Sequence, residues 1–66
     1  MTIQLNGEPF EVAEPATIST LLERLDIDAR RVAVEHNMRV IKRDAYSKVT
    51  ITSGDQVEVV NFVGGG

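Results

Sequence analysis

Only one stretch of this chain has the period of a helix, and that limits what it can fold into. Ile18, Leu21, Leu22 and Leu25 recur at i, i+3, i+4 and i+7, giving a single apolar stripe after Thr17, a competent N-cap. Glu23 and Arg24 fall on the solvent side. The stripe is too short for a coiled coil, so it predicts the core face of one helix. Everything else with a period alternates as strands do, or marks a turn. The helix therefore needs a sheet to pack on.

Ile3 and Leu5 alternate with Thr2 and Gln4, and Asn6-Gly7 follows, a pair that tolerates the positive φ of a tight hairpin turn. The return strand spans residues 8–12. Pro9 cannot donate a ladder hydrogen bond, which predicts that this strand lies at a sheet edge. Residues 13–16 break the pattern, and residues 26–30 read as a loop. Val32 and Val34 mark a third strand over 31–35, and residues 36–38 turn the chain. Residues 39–41 form a short fourth strand, and 42–46 a single helical turn or irregular loop. Residues 48–52 are extended. Ser53-Gly54-Asp55 is a turn, and 56–63 is the last and most apolar strand. Val57 and Val59 share one of its faces with Asn61, while Glu58, Val60 and Phe62 share the other. Such a strand is central or exposes a patch.

A hairpin, a helical crossover and three further strands allow the first and last strands to lie parallel in the middle of a mixed sheet of four to five strands. The expected fold is α+β of the β-grasp, ubiquitin-like kind, with one helix on one face. Residues 1–63 form a single domain and 64–66 a flexible glycine tail. The second sheet face stays uncovered, with Val60, Phe62 and Val63 as a docking patch.

At 66 residues the chain has a thin core and little room for a separate enzyme cleft, which favours a binding or carrier module. The 42% hydrophobic and 26% charged composition is ordinary for a soluble domain. The net charge of −3 is uneven. Residues 1–29 carry six acidic side chains against Arg24 alone, while residues 30–66 carry six basic against four acidic. That basic excess, with few aromatics, does not suit nucleic acid. The basic set, Arg30, Arg31, Arg39, Lys42, Arg43 and Lys48, reads either as a solvated face or as a patch that steers an acidic protein partner. His36 is the only histidine, and with no cysteine and no second histidine a metal site is not expected. It reads as a solvated turn residue, and Tyr46 as a satellite of the core with its hydroxyl at the surface. No apolar run reaches the length of a membrane span, and the start lacks the features of a signal peptide, so a cytoplasmic protein is expected.

Gly64, Gly65 and Gly66 add nothing to a core. Glycine is the residue most costly to order, so three in succession suit a thin strip that enters a narrow slot. Extended, Val63 to Gly66 reaches roughly 13 Å. A frayed end or an added linker would also read as glycines.

Over its full length the chain resembles the ThiS family of small ubiquitin-like sulfur carriers. The resemblance rests on Ile3-Gln4-Leu5-Asn6-Gly7-Glu8, on Ile18-Ser19-Thr20-Leu21-Leu22 and on Val32-Ala33-Val34-Glu35. It continues through Val40-Ile41-Lys42-Arg43-Asp44-Ala45-Tyr46, Gly54-Asp55-Gln56-Val57 and the closing Phe62-Val63-Gly64-Gly65-Gly66. Three glycines stand where the family needs two. The resemblance implies a carrier that is not itself an enzyme and binds no cofactor. An E1-like partner would use ATP and magnesium to adenylate the Gly66 carboxylate. A donor fed by a cysteine desulfurase would convert it to a thiocarboxylate, and thiazole synthase would take the sulfur. Gly64 and Gly65 would insert into these partners, and Val60, Phe62 and Val63 would dock on them. The small subunit of molybdopterin synthase and other sulfur carriers share this fold and ending. A lysine-conjugated modifier and a passive β-grasp binding module are the other classes compatible with the residues.

Overall fold

The computed structural model describes residues 1–62. Val63 and the three glycines, and with them the expected flexible tail, lie outside the described residues. Seven strands and one α-helix run in the order β1 (Thr2–Leu5), β2 (Glu8–Glu11), β3 (Ala16–Thr17), α1 (Ile18–Arg24), β4 (Val32–His36), β5 (Arg39–Ile41), β6 (Thr50–Ile51) and β7 (Gln56–Asn61). Single 3₁₀ turns occupy Ala29–Arg31 and Arg43–Ala45.

Asn6 and Gly7 take φ of 51° and 82°, as a tight hairpin requires, and join β1 to β2 antiparallel. Five strands make the main sheet in the order β2-β1-β7-β4-β5. β2, with Pro9, is an edge as expected, and β7 is the centre. β1 and β7 are parallel, with Gln4 opposite Gln56 and Leu5 opposite Val57. This is the β-grasp arrangement, with one helix on one face.

α1 starts where its orphan N–H groups find partners. Thr17 and Thr20 form a reciprocal capping box: the Thr17 hydroxyl accepts from the Thr20 N–H at 3.2 Å, and the Thr17 N–H donates to the Thr20 hydroxyl at 2.8 Å. The Ile18 and Ser19 N–H groups donate to the carbonyls of Val49 and Tyr46. The 42–49 connection thus caps the helix as well as linking β5 to β6. The helix stops in a Schellman motif. The Asp26 N–H donates to the Glu23 carbonyl and the Ile27 N–H to the Leu22 carbonyl, with Asp26 at φ 58° in the left-handed region. Ile18, Leu21 and Leu22 are buried against Ile3, Val34 and Val57, while Leu25 is only half-buried.

Three details differ from the sequence expectation. β3 and β6 pair antiparallel as a small second ladder, where the sequence suggested a break and an extended run with no partner assigned. Tyr46 is 3% exposed, inside the core, with its hydroxyl 3.5 Å from the Val32 carbonyl instead of at the surface. His36 is not a solvated turn residue. It closes β4, with its side chain largely buried and Nε2 2.7 Å from Asp55 Oδ2.

Asp55 gathers this corner of the fold. Its carboxylate also accepts from the Thr52 N–H (2.9 Å), the Thr52 hydroxyl (3.0 Å) and the Asn37 amide (3.3 Å). Burial pushes its carboxyl up. The Thr52 backbone donor, His36, Asn37 and the Thr52 hydroxyl outweigh that and hold it at about 2. The β4–β5 turn packs beside it. Asn37 Oδ1 accepts from the Gln56 N–H, and Asn37 and Met38 both take positive φ, 51° and 71°.

Two predictions follow from this corner. Met38 holds a left-handed conformation that suits glycine, and its side chain is 83% exposed with little packing to lose. Met38→Gly should raise stability by about 0.5–1 kcal/mol, net of glycine's greater freedom when unfolded. Urea denaturation should show a higher midpoint at unchanged slope; an equal or lower midpoint would refute the strain. The second concerns acid. The folded pKa of Asp55 is depressed, so the unfolded state binds more protons at low pH. Its contribution is fully present above the unfolded value near 3.8 and is lost as pH falls through about 2. Asp55→Asn should be less stable at neutral pH and lose less between pH 5 and 2, measured by urea midpoints across that range. Parallel acid profiles for the two proteins would show that the network does not hold Asp55 ionised.

Candidate functional site

The element that leads to the glycine tail is β7. Its pairing with β4 is in register from His36–Val57 through Val32–Asn61. Past the strand end, the Phe62 N–H donates to the Arg31 carbonyl at 2.9 Å. Arg31 is itself placed by the turn before β4. Asp28 caps that turn, its Oδ1 accepting from the Arg30 N–H at 2.9 Å. The Arg30 guanidinium forks onto both Asp28 oxygens at 3.1 and 2.9 Å. The side-chain hydrogen bond from Arg30, then the backbone one, hold the Asp28 carboxyl at about 2. The last described residue is thus fastened to a turn that carries its own cap.

Strand alternation sorts β7 as the sequence implied. Val57 is fully buried and Val59 partly so, on the helix side. Glu58, Val60 and Phe62 face away, with Val60 59% and Phe62 58% exposed. Val63, Gly64, Gly65 and Gly66 lie outside the described residues. Val40 was not singled out by sequence, yet it belongs to the same face. It pairs with Glu35, which pairs with Glu58, and it is 75% exposed. A three-residue strand carries too little alternation to show which side its valine takes, and the register supplies it.

Phe62, Val40, Ala33, Ile41 and Arg43 line a shallow depression of about 350 Å³ beside the strand end. The expected basic residues divide. Lys42 and Arg43 lie at this end, while Arg39 sits opposite His36 at the far end of the hairpin, roughly 13 Å along the sheet. All three are exposed, and none forms an ion pair among the described residues. Also among the described residues, no cluster of three or more potential metal-binding side chains occurs, and no helix is long and apolar enough to cross a membrane. The geometry is that of a strand end presenting an apolar, partly basic surface next to the start of a tail.

A model of the ThiS family matches residues 3–66. The chain belongs to the ThiS family. The crystal structure of the thiamine biosynthesis protein ThiS from Geobacter metallireducens superposes with a TM-score of 0.87 at 39% identity, covering 100% of both chains. The sulfur carrier protein ThiS of Bacillus subtilis is 35% identical over 65 residues, covering 97% of this chain and 98% of that protein. A thiazole synthase of Paramagnetospirillum magneticum is 38% identical over 66 residues, which are 100% of this chain but only 20% of that protein. The ThiS-like region is therefore a fifth of a longer chain there.

Exposure on the outer face separates folding from any docking role. Phe62→Ala should change stability by less than about 1 kcal/mol. Leu21→Ala, fully buried under the same sheet, should cost about 2–5 kcal/mol. Chemical denaturation of both variants checks this. A Phe62→Ala loss as large as that of Leu21→Ala would make Phe62 a core residue.

Proposed function

We propose that this ThiS-family chain is a sulfur carrier of thiamine biosynthesis and holds its sulfur as a thiocarboxylate on Gly66. The observation that carries this reading is the family match through residue 66, on a chain whose central strand leads into the glycine tail beside an exposed apolar face. An α-carboxyl ionises near pH 3.5, so at neutral pH it is a carboxylate able to attack the α-phosphate of ATP. As a carboxylate it is a poor acyl donor. An E1-like partner using ATP and magnesium converts it to the acyl adenylate with loss of pyrophosphate. A persulfide from a desulfurase-fed donor then displaces AMP to give an acyl disulfide, and a second thiol cleaves its S–S bond, releasing the thiocarboxylate and leaving a disulfide on the donor side. The product keeps sulfur nucleophilic without a cysteine, which this chain lacks. Thiazole synthase is the acceptor, and the thiazole synthase that contains a ThiS-like region supports that pairing.

In this cycle the partners perform the chemistry, in the cytoplasm. The carrier supplies a thin end and a surface that aligns it. Gly64 and Gly65 enter the partner slot, and Val60, Phe62 and Val63 dock beside it. Side chains larger than hydrogen at Gly65 would block entry.

The test is the intact mass of the chain after incubation with host extract, ATP, magnesium and a sulfide source. The expected result is a gain equal to exchanging one oxygen for sulfur, absent when ATP is omitted or Gly66 is deleted. An unchanged mass in an extract that converts another carrier would overturn the reading.

A further inference from the structure

The first hairpin carries a hydrogen bond that its turn does not need. Asn6 opens the turn between β1 and β2 at φ 51°, a conformation that glycine or aspartate also meets. Yet its side-chain Oδ1 accepts from the Val59 N–H at 2.8 Å, across 53 positions of sequence.

The place of this bond on β7 gives it meaning. The register of β1 with β7 runs through Gln4–Gln56 and Leu5–Val57. The Asn6 N–H still donates to the Val57 carbonyl, and the chain then turns away into β2. The next group along that edge of β7 is the Val59 N–H. Asn6 Oδ1 therefore supplies the acceptor that a longer β1 would supply from its backbone. On the opposite edge β4 pairs on as far as Asn61, and the Phe62 N–H reaches the Arg31 carbonyl. Among the described residues, Val59 is thus the last that is bonded from both sides. Past it come the exposed Val60 and Phe62, and then the residues up to Gly66.

We propose that Asn6 is a positioning residue for sulfur loading: its amide fixes the point at which the segment bearing Gly66 leaves the two-sided part of the sheet. Asn6 acts through Val59 and touches no reacting atom. In the activation step one oxygen of the Gly66 carboxylate bonds to the α-phosphorus of ATP, and pyrophosphate leaves. Gly66 must be held in line for that attack, and every residue ordered on entry to the partner slot adds an entropic cost. With Val59 fastened, the strand reaches Asn61 on a set course. With Val59 released, residues 59–62 rest on β4 alone, and their ordering is added to the cost of entry. The inference rests on the sulfur-carrier reading and adds to it a residue outside both the tail and the docking patch.

The experiment compares full-length wild type, Asn6→Gly and Asn6→Asp as substrates of the E1-like adenylating enzyme of the same host. Glycine keeps the turn and removes the acceptor, whereas aspartate keeps both. Carrier-dependent exchange of labelled pyrophosphate into ATP gives kcat/KM, at a temperature where circular dichroism shows every variant folded. Ile18→Val, a core change in the helix, controls for a general loss of stability. Loss of one hydrogen bond should lower kcat/KM of Asn6→Gly by at least about threefold, and Asn6→Asp should regain the wild-type value to within about twofold. Ile18→Val should stay at the wild-type value. Amide exchange of the free carrier should show Val59 protected in the wild type and in Asn6→Asp, and exchanging at least about threefold faster in Asn6→Gly. A smaller loss of kcat/KM, no rescue by aspartate, an equal loss in Ile18→Val, or unaltered Val59 exchange overturns the positioning role and leaves the sulfur-carrier reading in place. A wild type that supports no exchange and gains no sulfur overturns both.

Discussion

The parallel pairing of β1 with β7 is the constraint on which the rest of the structure depends. It joins segments about fifty residues apart, so its closure entropy must be offset by packing that only the whole fold provides. The Gln4 N–H donates to the Asp55 carbonyl and the Asn6 N–H to the Val57 carbonyl. The Asn6 side chain closes the junction by accepting from the Val59 N–H at 2.8 Å. With β4 on its other side, the first residues of β7 are held along both edges. Beyond them β7 continues on β4 alone, which carries the strand to Asn61 and the Phe62 N–H to the Arg31 carbonyl.

That placement explains how a small core serves a surface function. One side of the sheet is given to Ile18, Leu21 and Leu22 of the helix, packed on Ile3, Val34 and Val57. Among the described residues the other side carries no helix, and Val40, Val60 and Phe62 are exposed there. Stability is concentrated away from that face, in the core and in the polar network around Asp55 at the opposite end of β7. Changes on the outer face can then tune recognition with little effect on folding.

Features set by local chemistry were legible in the sequence. The Asn6-Gly7 hairpin, Pro9 at an edge, the Thr17 cap and the apolar stripe of α1 each depend on residues within a few positions. Apolar residues on both faces of β7 also marked Val60 and Phe62 as a surface patch. Features set by register or distant partners were not legible. Ala16–Thr17 and Thr50–Ile51 are two-residue strands, too short to show a period. The place of His36 depends on Asp55, nineteen residues away, and Tyr46 turned inward because the 42–49 connection folds over the core at the helix start. Val40 joined the exposed face, and Glu35 met Glu58, only once the β4–β5 and β4–β7 registers were known.

The central claim is that this small β-grasp domain delivers sulfur from its last residue to thiazole formation. The most direct measurement supplies purified thiazole synthase and its small-molecule substrates with this chain bearing isotopically labelled sulfur at Gly66, then follows the label. The account predicts label in the thiazole product, in proportion to the carrier consumed. Labelled carrier that returns unchanged, or label that reaches a different acceptor while no labelled thiazole forms, would contradict it.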